Sequence, residues 1–294
     1  MTNYSIANCS RGSRFFFVAF LLLFAMSAVA KEKPEWRSWP MGDRLFASVG
    51  WFKPKLDTQV GISNSAGNLG ALINFESSLG LADSKSTVLG GMNWRISKRN
   101  SLSFNYFKLD RSATQGDGIT ITIGDETFEP AIDFPIASFF DIEAFNLLYS
   151  FSAIRNPKHE LALGLGVSFQ DLSFGVEQTP DCGLPPCDRK SEVFSSTAPL
   201  PTLNARYQYA INDKWIIVTS LGWLAVSADL ASDEKLSGEI WNVDAGIRWK
   251  TWKNVGFSLL YNYFDVDVDY DKRNLKATAI YKYQGPILGI NAYF

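Results

Sequence analysis

Apolar and polar residues alternate one by one along much of the chain. From Gly238 to Lys250 the odd positions read Glu239, Trp241, Val243, Ala245, Ile247 and Trp249, and the even ones Asn242, Asp244, Gly246, Arg248 and Lys250. A period of two gives a strand one greasy face and one polar face. Leu161, Leu163, Leu165, Val167 and Phe169 alternate in the same way with Ala162, Gly164, Gly166, Ser168 and Gln170. Leu203, Ala205, Tyr207, Tyr209 and Ile211 do so with Asn204, Arg206 and Gln208, and Val255, Phe257, Leu259, Tyr261 and Tyr263 with Gly256, Ser258 and Asn262. Trp94 and its neighbours, between Val88 and Ile96, and the segment around Leu102, Phe104 and Tyr106 repeat it.

Soluble sandwiches alternate too, with the apolar face inward. Two features favour a barrel with that face outward. The alternating segments run about ten residues or more, where soluble strands commonly have about five or six. Their polar faces mix Arg, Asn, Gln and Asp with Gly and Ser, which suits a wet, crowded lumen. Short turns at Lys98–Asn100, Arg155–Lys158, Asn212–Lys214 and Lys253–Asn254 alternate with long connections at Lys53–Leu69, Ser112–Pro135 and Gln178–Leu200. That asymmetry belongs to outer-membrane barrels, whose periplasmic turns are short and outer loops long. Trp94, Trp215, Trp249 and Trp252 lie near the short turns, where an interfacial aromatic girdle belongs.

The expectation is an all-β fold, a single antiparallel up-and-down transmembrane barrel of about ten strands, with eight or twelve also compatible. The strands pair as 43–53 with 85–97, 101–112 with 138–153, 160–176 with 200–211, 214–229 with 237–250, and 254–267 with 275–294. Gly70–Leu81 reads as a loop hairpin or as a strand in its own right. On the closing strand the apolar positions are odd above Gln284-Gly285-Pro286 and even below it, which predicts a β-bulge there.

Arg11 and Arg14 precede an apolar run from Phe15 to Met26 that ends in Ala28-Val29-Ala30. This is the pattern of a secretory signal peptide over 1–30, cleaved after Ala30, with a periplasmic lead-in over 31–42 and a barrel over 43–294. The run is shorter than the about 20 residues a membrane helix needs. Aromatic residues make up 14% of the chain, which fits girdled strands, and the formal net charge of −2 argues against nucleic acid as a partner.

A leader, alternating strands and a terminal Phe294 together resemble the small Gram-negative outer-membrane β-barrel proteins, with a general likeness to the OmpW and OmpA barrels. The stretch Leu79–Ser112 resembles a group of proteobacterial outer-membrane proteins. The resemblance implies residence in the outer membrane, contact with its lipid and lipopolysaccharide, and a C-terminal strand ending in Phe294 that the barrel-assembly machinery reads.

Within such a barrel Arg95, Arg206, Arg248, Asp244 and Asn204 face inward, either lining a selective pore or forming a paired filling. Cys182 and Cys187, enclosing Gly-Leu-Pro-Pro, read as a disulfide in an oxidising compartment. Asp265, Asp267, Asp269 and Asp271 continue a lipid-facing strand face and mark where the strand leaves the bilayer, either as a solvated extension or as a divalent-cation site. The single histidine, His159, sits beside a short turn and reads as a solvated turn residue. No nucleophile elbow, zinc spacing or phosphate loop occurs, so neither a cofactor nor an enzyme is expected. The expected role is a non-enzymatic barrel that passes or binds a small solute. The alternative is a structural barrel with a filled lumen and its function in the outer loops, and a lipid-modifying enzyme is the weakest reading.

Overall fold

The structure, a computed structural model, describes residues 34–62, 72–116, 120–123, 126–128, 135–178, 190–231, 234–272 and 275–294. A short 3-10 helix spans Glu35–Ser38. The strands are β1 (Leu45–Phe52), β2 (Lys55–Ile62), β3 (Ile73–Asn74), β4 (Thr87–Arg95), β5 (Asn100–Gln115), β6 (Ile121–Ile123), β7 (Glu126–Phe128), β8 (Ile136–Arg155), β9 (His159–Gln178), β10 (Lys190–Ala210), β11 (Trp215–Ala231), β12 (Glu234–Trp249), β13 (Val255–Lys272) and β14 (Leu275–Tyr293). Among the described residues one short α-helix, α1, occupies Phe75–Leu79. No helix among the described residues is long and apolar enough to cross a membrane.

The sheet runs β1-β4-β5-β8-β9-β10-β11-β12-β13-β14, and β1 pairs with β14 to close a ring of ten antiparallel strands. The predicted strand pairs are all present. β1 sits between β4 and β14 with Phe46 opposite both Asn93 and Tyr293. The last residue completes the seam: Phe294 N–H donates to Leu45 O at 2.8 Å, and Phe294 O accepts from Arg44 N at 2.7 Å and Leu45 N at 3.0 Å.

The outer surface of the ring is an apolar band. Leu165 and Ile290 are 62% and 61% exposed, and Leu163, Leu203, Leu259 and Leu288 face outward with them. Trp215 stacks on Trp249 at the short-turn end, and Trp223 lies against Trp241 at the other. Eight residues of β11 separate its two tryptophans, about 27 Å along a strand and about 20 Å along the axis of a barrel tilted by ~40°. That is close to the ~25 Å apolar band of a transmembrane barrel.

Closure ends where the upper girdle lies. The β10–β11 ladder stops at Leu203↔Trp223, and the β1–β4 ladder at Phe52↔Thr87. Beyond those pairs the wall parts into two sheets, β5-β8-β9-β10 and β11-β12-β13-β14-β2-β3, since β2 continues along β14 but pairs with β3 on its other side. The sheets face each other across a hydrophobic core: Leu109, Phe140, Ile142, Phe174 and Val176 on one side, and Leu56, Val60, Leu224, Ile240, Phe264 and Tyr281 on the other. Phe75, Leu79 and Leu81 fill the space between them. The top of the barrel is thus packed like a sandwich.

This interior corrects three expectations. Residues 72–81 form neither a hairpin nor a full strand: after the two residues of β3 comes α1, with Asn74 Oδ1 accepting from Ser77 N at 2.9 Å as N-cap and Gly80 at φ 69° closing it. No bulge interrupts Gly285-Pro286, because Asn262↔Gly285 and Tyr261↔Pro286 keep the β13–β14 register unbroken. The apolar set changes parity there because what counts as inside changes. Below, odd residues such as Asn291 face a polar lumen, whereas above, Tyr281 and Tyr283 face the hydrophobic core and Lys282 faces out. Finally, β10 begins at Lys190 and not near Leu200. Pro199 and Pro201 are tolerated because there β10 pairs with β9 alone, as prolines at a sheet edge can. The predicted signal peptide and the Cys182–Cys187 disulfide lie outside the described residues.

Deleting Phe294 removes its share of three backbone hydrogen bonds at the closing seam, each contributing about 1 kcal/mol. The expected result is a smaller fraction of heat-modifiable, folded protein on unheated gels after refolding. An unchanged fraction would show that the seam closes without it.

Candidate functional site in the barrel lumen

The polar faces of the strands meet inside the ring. At the short-turn end Glu160 on β9 is fully buried between two arginines. Arg95 Nη2 donates to Oε1 at 2.9 Å and Oε2 at 3.0 Å, and Arg155 Nη1 donates to Oε2 at 2.7 Å. Ser152 Oγ donates to Oε1 at 2.6 Å. A register shift between Ser152 and Ile154 on β8 turns Arg155 inward, where simple alternation would place it elsewhere. Arg155 also donates to Met41 O at 3.0 Å and lies over the rings of Trp36 and Trp39. Lys250 donates to Pro40 O at 2.8 Å and pairs with Asp43. The segment from Trp36 to Asp43 therefore forms a floor, with Met41 packed on Ala210, Ile216 and Val218.

Above the floor lies a cavity of about 370 Å³. Every predicted lumen residue lines it: Arg95, Arg206, Arg248, Asp244 and Asn204. They differ in how fully their polar atoms are bonded. Asp244 accepts from Ser220 Oγ at 2.9 Å and from Asn262 Nδ2 at 2.8 Å, and Asn204 donates to Leu221 O at 3.2 Å. Arg248 rests over the Phe46 ring at 4.3 Å. Arg206 Nε and Nη2 are shielded from solvent without a hydrogen-bond partner among the described residues, as are Arg95 Nε and Nη1. The opposite end of the cavity is aromatic, with Tyr283 stacked on Phe264 at 4.5 Å and on Phe107 at 5.5 Å.

A second ionic knot holds this ceiling. Arg111 on β5 pairs with Glu76 of α1, donates to Thr58 Oγ1 at 2.6 Å and lies 5.0 Å over Phe140. Glu76 Oε2 also accepts from Thr58 N at 2.9 Å, so α1 is tied to both facing sheets. Glu160, Arg155, Arg111 and Glu76 escaped the sequence reading. Glu160 continues the even polar face of β9 and was within reach of the pattern. Arg155 was hidden by a bulge, and Arg111 and Glu76 by a pairing between distant segments.

The remaining candidates lie outside the lumen. Asp265 pairs with Lys282 at 3.1 Å and accepts from Tyr263 Oη at 2.8 Å, and Asp269 accepts from Thr278 at 2.6 Å. Asp267 faces outward with them, and the side chain of Asp271 lies outside the described residues. Among the described residues no three acidic, His or Cys side chains converge as a metal site would need. His159 is not simply solvated: its Nδ1 is 2.8 Å from Tyr207 Oη and its ring lies 5.0 Å from that of Tyr209.

A closed antiparallel ring, girdled outside and polar inside, defines the class: the chain has the fold of the Gram-negative outer-membrane β-barrel proteins. No family model and no curated protein matches it. Among solved structures, the outer membrane protease OmpT from Escherichia coli aligns over 86% of this chain and 98% of its own, at 10% identity and a TM-score of 0.54. The translocator domain of the autotransporter NalP from Neisseria meningitidis aligns over 85% and 88%, at 10% identity and 0.43, and the toluene transporter TodX from Pseudomonas putida over 91% and 95%, at 8% and 0.35. The likeness to OmpT speaks to the fold alone.

Glu160→Gln leaves Arg95 and Arg155 buried without a counter-charge, and a loss of about 3–5 kcal/mol is expected in denaturant unfolding of the folded barrel. Lys282→Ala, which removes the more exposed pair with Asp265, should cost under about 1 kcal/mol. Equal costs would contradict the central role given to the Glu160 cluster.

Proposed function

We propose that the protein is a non-enzymatic outer-membrane barrel that binds a small solute in an occluded lumen. The observation behind this reading is the chamber of about 370 Å³ between the Trp36–Asp43 floor and the hydrophobic ceiling around α1. An open pore needs a continuous wet path, whereas here Phe75, Leu79 and Leu81 pack with Phe140 and Phe174 across the upper lumen. The non-enzymatic part is supported by the placement of the single histidine, His159, which bonds Tyr207 on the outer face away from the chamber. On this reading the apolar band contacts outer-membrane lipid, and the strand ending in Phe294 is what the assembly machinery engages.

The ceiling, held by Arg111 and Glu76, is the element whose displacement would connect the chamber to the long-loop side. Reconstituted in planar bilayers, the wild-type barrel should give little or no steady conductance. Arg111→Ala, which unties α1 from β5 and leaves it held to β2 by the Glu76–Thr58 bond, should raise the frequency and size of openings. A large, stable wild-type conductance would overturn the occluded-chamber reading.

A further inference from the structure

The chamber has a chemical polarity. Near the floor, Arg95 and Arg155 share the single carboxylate of Glu160, and Lys250 is matched by Asp43. Asp244 is engaged by Ser220 and Asn262, and Arg248 rests on the face of Phe46. Among the described residues the guanidinium groups therefore outnumber the carboxylates available to them. Arg206 carries the surplus most plainly: it makes no ion pair among the described residues, and its Nε and Nη2 are both shielded and unpartnered. Shielded guanidinium N–H groups without acceptors are costly, and the planar fork of an arginine matches a carboxylate in two parallel hydrogen bonds.

The far end of the same cavity differs. Phe52, Phe107, Phe264 and Tyr283 form an aromatic ceiling in mutual ring contact. Within it Tyr281 Oη is buried and likewise has no hydrogen-bond partner among the described residues. A site with cationic donors at one end, aromatic rings at the other and an unpartnered hydroxyl among those rings asks for a ligand of matching polarity.

Resting on the occluded-chamber reading, we infer that the lumen is a binding site for a small aromatic carboxylate. Its carboxylate is held by Arg206 with Arg95 and Arg248 close by, its ring lies against Phe264 and Tyr283, and a ring hydroxyl is within the chemistry of Tyr281. The surplus guanidinium charge selects anions, and the ceiling selects against anions that are polar throughout.

Calorimetry on the refolded full chain in detergent, after overnight equilibration, tests this with three probes. 4-Hydroxybenzoate carries both features, gluconate only the charge and hydroxyls, and benzyl alcohol only the ring. The expected order places 4-hydroxybenzoate at least about tenfold tighter than either of the others. Arg206→Gln should weaken it by about tenfold or more and Arg206→Lys, which keeps the charge but loses the fork, by a similar factor. Lys282→Ala, outside the chamber, should leave it unchanged, and heat-modifiable migration shows that each variant is folded. Should Arg206→Gln fail to fold, the Lys variant and the probe order carry the test. Equal binding of all three probes, or 4-hydroxybenzoate binding untouched in folded Arg206 variants, overturns the inference. No binding by a barrel that stays non-conducting overturns it too, while leaving the occluded chamber intact. A large wild-type conductance instead overturns the chamber itself.

Discussion

A strand in hydrocarbon has no water to satisfy its N–H and C=O groups, so each must find a partner in the protein, and a sheet there must have no edge. The wall of this barrel follows that constraint closely. β1, only Leu45–Phe52, pairs on both sides along its length, and Phe294 supplies the last bonds of the seam. Where the upper tryptophans mark the end of the apolar band, two of the ladders stop and the ring parts into two sheets. Edges that lipid would forbid are allowed there. Prolines at 199 and 201, which hydrocarbon would penalise on a paired strand, stand on one of them.

The same boundary divides the interior. Within the closed ring the lumen is narrow, polar and knitted by Glu160 and the asparagines around Asp244. Beyond it the two sheets face each other and are held by a hydrophobic core, as in a sandwich. Because inside and outside exchange their character there, outward residues turn from Leu288 and Ile290 to Lys282 and from Tyr261 to Asp265 and Asp267, while Tyr281 and Tyr283 turn in. The chamber sits at this junction, which is why it is basic at one end and aromatic at the other.

Much of this was legible along the chain. The alternation of Trp241 to Trp249 with Asn242 to Lys250 showed both faces of a strand, and the short turns located the strand pairs. The inward placement of Arg95, Arg206, Arg248, Asp244 and Asn204 followed from parity alone. Parity failed where a local irregularity shifted it, as at Arg155, and where the environment changed sides, as at Gly285-Pro286. It could not reach α1, whose two apolar anchors, Phe75 and Leu79, carry too little periodicity in five residues to announce a helix.

By itself the sequence determined which residues face outward and which face inward through the closed part of the barrel, because a period of two is a property of each strand taken alone. What faces what across the lumen was decided only by the tertiary structure. Closure of the ring sets Arg95 against Glu160, and the seating of α1 between the two sheets sets Arg111 against Glu76, pairs separated by 65 and 35 residues. The same fold leaves Arg206 Nε and Nη2 without a hydrogen-bond partner among the described residues. Charge balance and cavity shape are sums over every strand at once, and no single strand's pattern contains them.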